Sequence, residues 1–103
     1  YEEAIRQYQK ALEINSDLFQ VHNNLAGLFF QKGNTFGAIN HYRQAIILAP
    51  DFAKAHNNLG STLASQARFE DAMTHFEKAI NIDPDYIDAR KNLELARSII
   101  SEK

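Results

Sequence analysis

The chain has 103 residues, 45% of them apolar and 23% charged, with a formal net charge of -2 and no cysteine. That length bounds it to at most one compact domain, and its Lys and Arg residues are scattered from Arg6 to Lys103 rather than gathered into the basic face that nucleic acid requires. The missing thiols exclude disulfide scaffolds, thiolate metal sites and cysteine nucleophiles and leave the compartment open, with the cytoplasm as default; apolar runs such as Leu25–Phe30 are far too short for a membrane span of roughly 20 residues.

Taken in chain order, the apolar spacing predicts six helices, over 2–14, 19–32, 36–48, 53–66, 69–81 and 87–100. The first carries Ala4, Ile5, Tyr8, Ala11 and Leu12. The second carries Leu25, Ala26 and Phe29 and stops at Gly33, a left-handed cap. The third has an unusual start, Thr35-Phe36-Gly37, then Ala38, Tyr42, Ala45 and Ile46, and is closed by Pro50. The fourth holds Ala55, Leu59, Leu63 and Ala64. After it Ala67 stands where Gly33 stood, and a left-handed alanine there costs about 1 kcal/mol. The fifth begins with Glu70 and Asp71, suited to a helix dipole, holds Phe69, Ala72, Met73, Phe76, Ala79 and Ile80, and is closed by Pro84. The sixth is more polar, with Arg90, Glu94 and Arg97. Asp17, Asp51 and Asp85 precede helices two, four and six and are expected to cap them.

The chain also repeats itself. Shifted by 34 residues, 19–52 and 53–86 share His22/His56, Asn23/Asn57, Asn24/Asn58, Leu25/Leu59, Ala38/Ala72, His41/His75, Ala45/Ala79, Ile46/Ile80, Pro50/Pro84 and Asp51/Asp85. Ala4, Ile5, Tyr8, Ala11 and Leu12 continue the register upstream, and Asn92 and Leu93 downstream. The chain is read as 1–18, the second helix of a truncated repeat; two whole repeats, 19–52 and 53–86; and a polar capping helix in 87–103. On this reading the chain was cut from a longer protein.

The spaced residues His22-x2-Leu25-Ala26-x2-Phe29, Ala38-x3-Tyr42 and Pro50 resemble the tetratricopeptide repeat signature, W-x2-L-G-x2-Y, A-x3-F and Pro. His56-x2-Leu59-Gly60-x2-Leu63, Ala72-x3-Phe76 and Pro84 repeat it. The resemblance implies an all-α fold, a right-handed α-solenoid of antiparallel helix pairs, that works as a protein-binding scaffold. It further implies a concave groove lined by the first helix of each pair. Carried over by position, that groove takes Gln20, Asn23, Asn24, Gly27, Phe30 and Gln31, then Lys54, Asn57, Asn58, Ser61, Ala64 and Ser65, then Asp88, Lys91, Asn92, Leu95 and Ser98. Asn24, Asn58 and Asn92 form a ladder at 34-residue spacing, similar to the repeats of the O-GlcNAc transferase superhelix. An amide offers a donor and an acceptor, so it can bracket the peptide bonds of an extended partner. The family's carboxylate clamp for chaperone C-termini wants Lys at 23, Asn at 27, Asn at 58, Lys at 88 and Arg at 92. Here stand Asn23, Gly27, Asn58, Asp88 and Asn92, so Hsp70 and Hsp90 tails are not the expected ligand.

Other chemistries find no support in the sequence. The histidines are read as His22/His56 and His41/His75, each pair a full repeat apart on the order of 10 Å, with no close pair for a metal. No phosphate loop, GxSxG or paired-carboxylate site stands out. The sequence reading is therefore a non-enzymatic scaffold with no cofactor, whose partner is a protein or peptide rather than nucleic acid or membrane. Self-association is the alternative, through Ile5, Tyr8 and Leu12 on a half-repeat with an incompletely covered face. Recruitment of substrates for a larger enzyme is a third reading.

Overall fold

The computed structural model describes residues 1–102. Among them lie six helices: α1 (Glu2–Ile14), α2 (Phe19–Gln31), α3 (Thr35–Leu48), α4 (Ala53–Ser65), α5 (Phe69–Ile82) and α6 (Ile87–Ser101). Each boundary falls within one residue of its expected place. The fold is all-α and built from repeated helix pairs. It divides into two compact units, Tyr1–Pro50 and Asp51–Lys103.

In the first unit α2 packs on α3 and α1 packs on α2. Ile5, Leu25, Ala26, Ala38, Tyr42 and Ala45 are buried there. In the second unit α4 packs on α5, α5 on α6, and α4 also touches α6. Its core is Ala55, Leu59, Leu63, Ala72, Phe76, Ala79, Ala89, Leu93 and Ala96. The alternation of alanine with one large side chain per turn is what lets the helices approach. Gly60 shows the limit: a Cβ there would lie 2.5 Å from Cε1 of Phe76. Only a residue without a side chain leaves that ring its place against α4.

The two helix-to-helix turns inside the repeats have the same construction. Gly33 N–H donates to Phe30 O at 3.0 Å and Asn34 N–H to Phe29 O at 2.8 Å. One repeat on, Ala67 N–H donates to Ala64 O at 2.9 Å and Arg68 N–H to Leu63 O at 3.0 Å. Both are Schellman turns, which satisfy the last carbonyls of the helix through one left-handed residue. Gly33 has φ +86° and Ala67 has φ +62°. The turn geometry therefore holds whether or not glycine supplies it, and the alanine accepts the left-handed conformation at a cost of about 1 kcal/mol.

The capping expectation is corrected. Asp17, Asp51 and Asp85 are not N-caps. The caps are Leu18, Phe52 and Tyr86, none with a side-chain cap bond. Phe52 and Tyr86 are half-buried aromatics, so packing rather than capping fixes the start of α4 and α6. The aspartates sit one residue earlier and are exposed, which still places negative charge near a helix N-terminus. The polar bond is made a step back instead. Asn15 Oδ1 accepts Asp17 N–H at 3.0 Å, and Asp83 Oδ1 accepts Asp85 N–H at 3.1 Å. Ala49 holds the same place in the middle repeat and has no oxygen for it.

The unusual start of α3 is explained by Asn34. Its Oδ1 accepts Gly37 N–H at 2.9 Å, and a Cβ on Gly37 would lie 2.7 Å from Nδ2 of Asn34. Gly37 is thus fitted to the cap. Phe36 is left 86% exposed.

Candidate functional site

The first helices of the pairs carry the polar face that the sequence singled out, and the structure sorts its residues into two sets. On α2, Gln20, Asn24, Phe30 and Gln31 are exposed and Gly27 is half-buried, whereas Asn23 is buried. On α4, Lys54, Ser61 and Ser65 are exposed, Asn58 and Ala64 are half-buried, and Asn57 is buried. On α6, Asp88, Lys91, Leu95 and Ser98 are exposed and Asn92 is half-buried. Asn23 and Asn57 therefore serve the interior. Of the three ladder residues, Asn24 stands most open.

Asn57 has a defined job. Its Nδ2 donates to the Tyr86 hydroxyl at 3.4 Å, and its Oδ1 accepts from Asn92 Nδ2 at 3.0 Å. Asn92 Nδ2 also donates to Ser61 Oγ at 3.4 Å. A chain of hydrogen bonds so links α4 to α6 within the second unit. Burial pushes the Tyr86 phenol above its usual range, with the Asn57 bond acting the other way. Asn92 reaches this network through one end of its amide only, so its carbonyl oxygen stays available to a ligand.

Beside this network lies a cavity of about 210 Å³. Phe69, Phe76, Ala64, Leu95, Ala96 and Ile99 make it apolar, and Ser61 and Asn92 supply its polar edge. Leu95 is 61% exposed, so the apolar wall is open to solvent on that side. At the positions equivalent to Leu95 and Ile99, α4 carries Ser61 and Ser65 and α2 carries Gly27 and Gln31. The apolar wall is therefore peculiar to α6, the helix that the sequence reading treated as a polar cap. Arg90, Glu94 and Arg97 are indeed exposed; Arg90 Nε donates to Pro84 O at 2.6 Å and Arg97 lies 3.7 Å from Glu77.

The histidine reading is also corrected. The pairs form within repeats, 19 residues apart in sequence, because the second helix folds back on the first. His22 Nδ1 and His41 Nδ1 are 3.0 Å apart, and His56 Nδ1 and His75 Nδ1 are 3.3 Å apart. Among the described residues no three His, Cys, Asp or Glu side chains come together as a metal site. The self-association residues are only partly open: Ile5 is buried, and Tyr8 and Leu12 are half-buried.

A family profile described as TPR repeat matches residues 1–33 and 27–66, and another described as tetratricopeptide repeat matches 53–86. The chain belongs to the tetratricopeptide repeat (TPR) family. Solved TPR structures agree over nearly its full length. The first TPR of Spaghetti (RPAP3), bound to HSP90 peptide SRMEEVD, is 21% identical with a TM-score of 0.94, over 98% of this chain and 80% of that one. The Sgt2 TPR domain from Aspergillus fumigatus is 25% identical with a TM-score of 0.92, over 99% and 69%. MamA is 26% identical with a TM-score of 0.88, over 94% and 53%, so this chain spans about half of it. A search of the curated proteins returns no match. Within this TPR framework, repeat position alone foretold the exposed Asn24, Ser61 and Lys91. The cavity wall at Leu95 and Ile99 could have been found by the change from small and polar to apolar residues along one repeat column. No described helix of this TPR chain is long and apolar enough to cross a membrane.

Proposed function

We propose that this TPR module is a protein-interaction scaffold that binds an extended, largely uncharged segment of a partner along α4 and α6, with an apolar side chain of that segment in the cavity of the second unit. The single observation that carries the reading is the pairing of that cavity with Ser61 and Asn92 at its edge. A peptide chain needs both features: somewhere to bury a side chain, and hydrogen-bonding groups for its own amides. Burying one Leu- or Phe-sized side chain supplies roughly 1.5–3 kcal/mol. Added to a few amide bonds, and reduced by the ordering of the segment, this gives a micromolar affinity.

The Spaghetti domain carries an acidic heptapeptide, SRMEEVD. This chain presents Asn23, Asp88 and Asn92 where a clamp for such a terminus would place its charged donors, and Asn23 is buried. An anionic peptide would gain no paired cation there and would face Asp88. Fluorescence anisotropy with labelled SRMEEVD should therefore show no saturation up to several hundred micromolar. Saturable low-micromolar binding that weakens with salt would overturn the uncharged-ligand reading, since only charge pairing is screened in that way. The module does no chemistry in this account.

A further inference from the structure

We infer that the His22–His41 pair is an acid-sensitive latch between α2 and α3, able to hold one added proton but forced open by a second. His22 Nε2 lies 3.0 Å from the backbone oxygen of Ser16. A carbonyl can only accept, so His22 carries its proton on Nε2 and donates it there. In the neutral ring this leaves Nδ1 with a lone pair. That Nδ1 is 3.0 Å from Nδ1 of His41, so His41 is the donor, through Nδ1–H. Both tautomers are thereby fixed by one backbone carbonyl.

The first proton leaves the link intact wherever it settles: on Nε2 of His41, a half-buried ring that then still donates from Nδ1, or on Nδ1 of His22, which then donates to a His41 whose own proton has moved to Nε2. A second proton leaves both Nδ1 atoms protonated, setting N–H against N–H at a 3.0 Å separation, between two positive rings. The pair cannot reach a charge of +2 while α2 and α3 stay packed, whereas the two histidines of an unfolded chain do so freely.

The surroundings offer no compensating anion. Phe29 packs its ring against His41, with centroids 5.4 Å apart. Lys10 and Glu13 in the last turns of α1, Asp17 in the connection and Arg43 on α3 are all exposed. Of these groups none acts on His41. Burial, and then the charge of His22, hold its imidazole below the ordinary value of 6.5. A histidine depressed in the folded state binds fewer protons than in the unfolded state. Its contribution is fully present above that ordinary value and is lost as pH falls below it. Each proton so excluded raises the unfolding constant by up to tenfold per pH unit. His56 and His75 repeat the separation at 3.3 Å and the ring stacking at 5.6 Å.

The test follows ring nitrogens by long-range 1H–15N correlation during an acid titration of the whole chain. At pH 7.5 His22 should be the Nε2–H tautomer and His41 the Nδ1–H tautomer. On acidification the pair should take up one proton with the α2–α3 contacts intact, and a second only together with loss of those contacts. Two rings that both charge near pH 6.5 with those contacts intact, or tautomers the other way round, would overturn the latch. His41→Asn provides an independent arm, since its amide N–H can replace the donor without titrating. Between pH 7 and 5 its stability in urea should fall less steeply than that of the natural chain; parallel declines would also overturn the inference. If that variant does not fold, the titration of the natural chain decides alone.

Discussion

Phe76→Ala should be among the most damaging single substitutions in the chain, lowering stability by about 3–5 kcal/mol. Phe76 is 2% exposed, the largest of the fully buried side chains. Its ring fills the gap that Gly60 leaves on α4 and also walls the cavity, so truncation would open a void continuous with existing space. Gly60→Ala tests the same contact from the other side. Alanine gains about 1 kcal/mol over glycine in a helix interior. Against this, the new methyl would sit 2.5 and 2.7 Å from the ring and 3.1 Å from the Ala72 carbonyl oxygen, an overpacking that costs about 1–3 kcal/mol. The cost prevails, because the ring is enclosed and backbone stands behind the new methyl. In a Phe76→Ala background the ring is gone, and Gly60→Ala should turn stabilising. Urea unfolding followed by circular dichroism on the four proteins gives the coupling. An equal effect of Gly60→Ala in both backgrounds would contradict the contact.

Asn57→Ala should cost about 1–3 kcal/mol, the range for removing one member of a buried hydrogen-bonded set. Asn57 is 6% exposed and bridges Tyr86 to Asn92. Its loss takes from Asn92 Nδ2 the shorter of its two bonds, leaving Ser61 Oγ at 3.4 Å, and leaves the Tyr86 hydroxyl with one partner fewer. Asn24→Ala, on the exposed face of α2, should stay within about 0.5 kcal/mol. The two residues come from the same repeated Asn-Asn pair, so the contrast isolates environment from residue type. Thermal unfolding of both variants is the check. Equal small effects would mean that the network linking α4 to α6 contributes little.

Helix limits were legible to within a residue, because Pro50, Pro84 and Gly33 punctuate the chain and alanines mark the packed column. The left-handed turn at Ala67 was legible only through register with Gly33. Asn23 and Asn57 were misassigned to the ligand face since one residue along a helix turns the side chain by about 100°. That is enough to carry an asparagine from solvent into the interior, and residue type does not reveal it. The aspartates were misread as caps because Phe52 and Tyr86 take that position for packing. The histidines were paired across repeats because register compares like with like, while contact joins the two helices of one pair. The cavity was invisible for a different reason: it is made by what Leu95 and Ile99 are not, namely the serines, glycine and glutamine of the preceding repeats.

As proposed, α4 and α6 bind a largely uncharged segment, with a side chain held in the cavity. The most direct measurement is 1H–15N chemical-shift mapping of the chain with an uncharged peptide selected against it by display. Perturbations should centre on Ser61, Asn92, Leu95 and Ile99, with further shifts at Asn58 and Lys91, and should be lost together with binding in Leu95→Asp. Perturbations confined to α3 and the exposed side of α5, with affinity unchanged by Leu95→Asp, would contradict this reading.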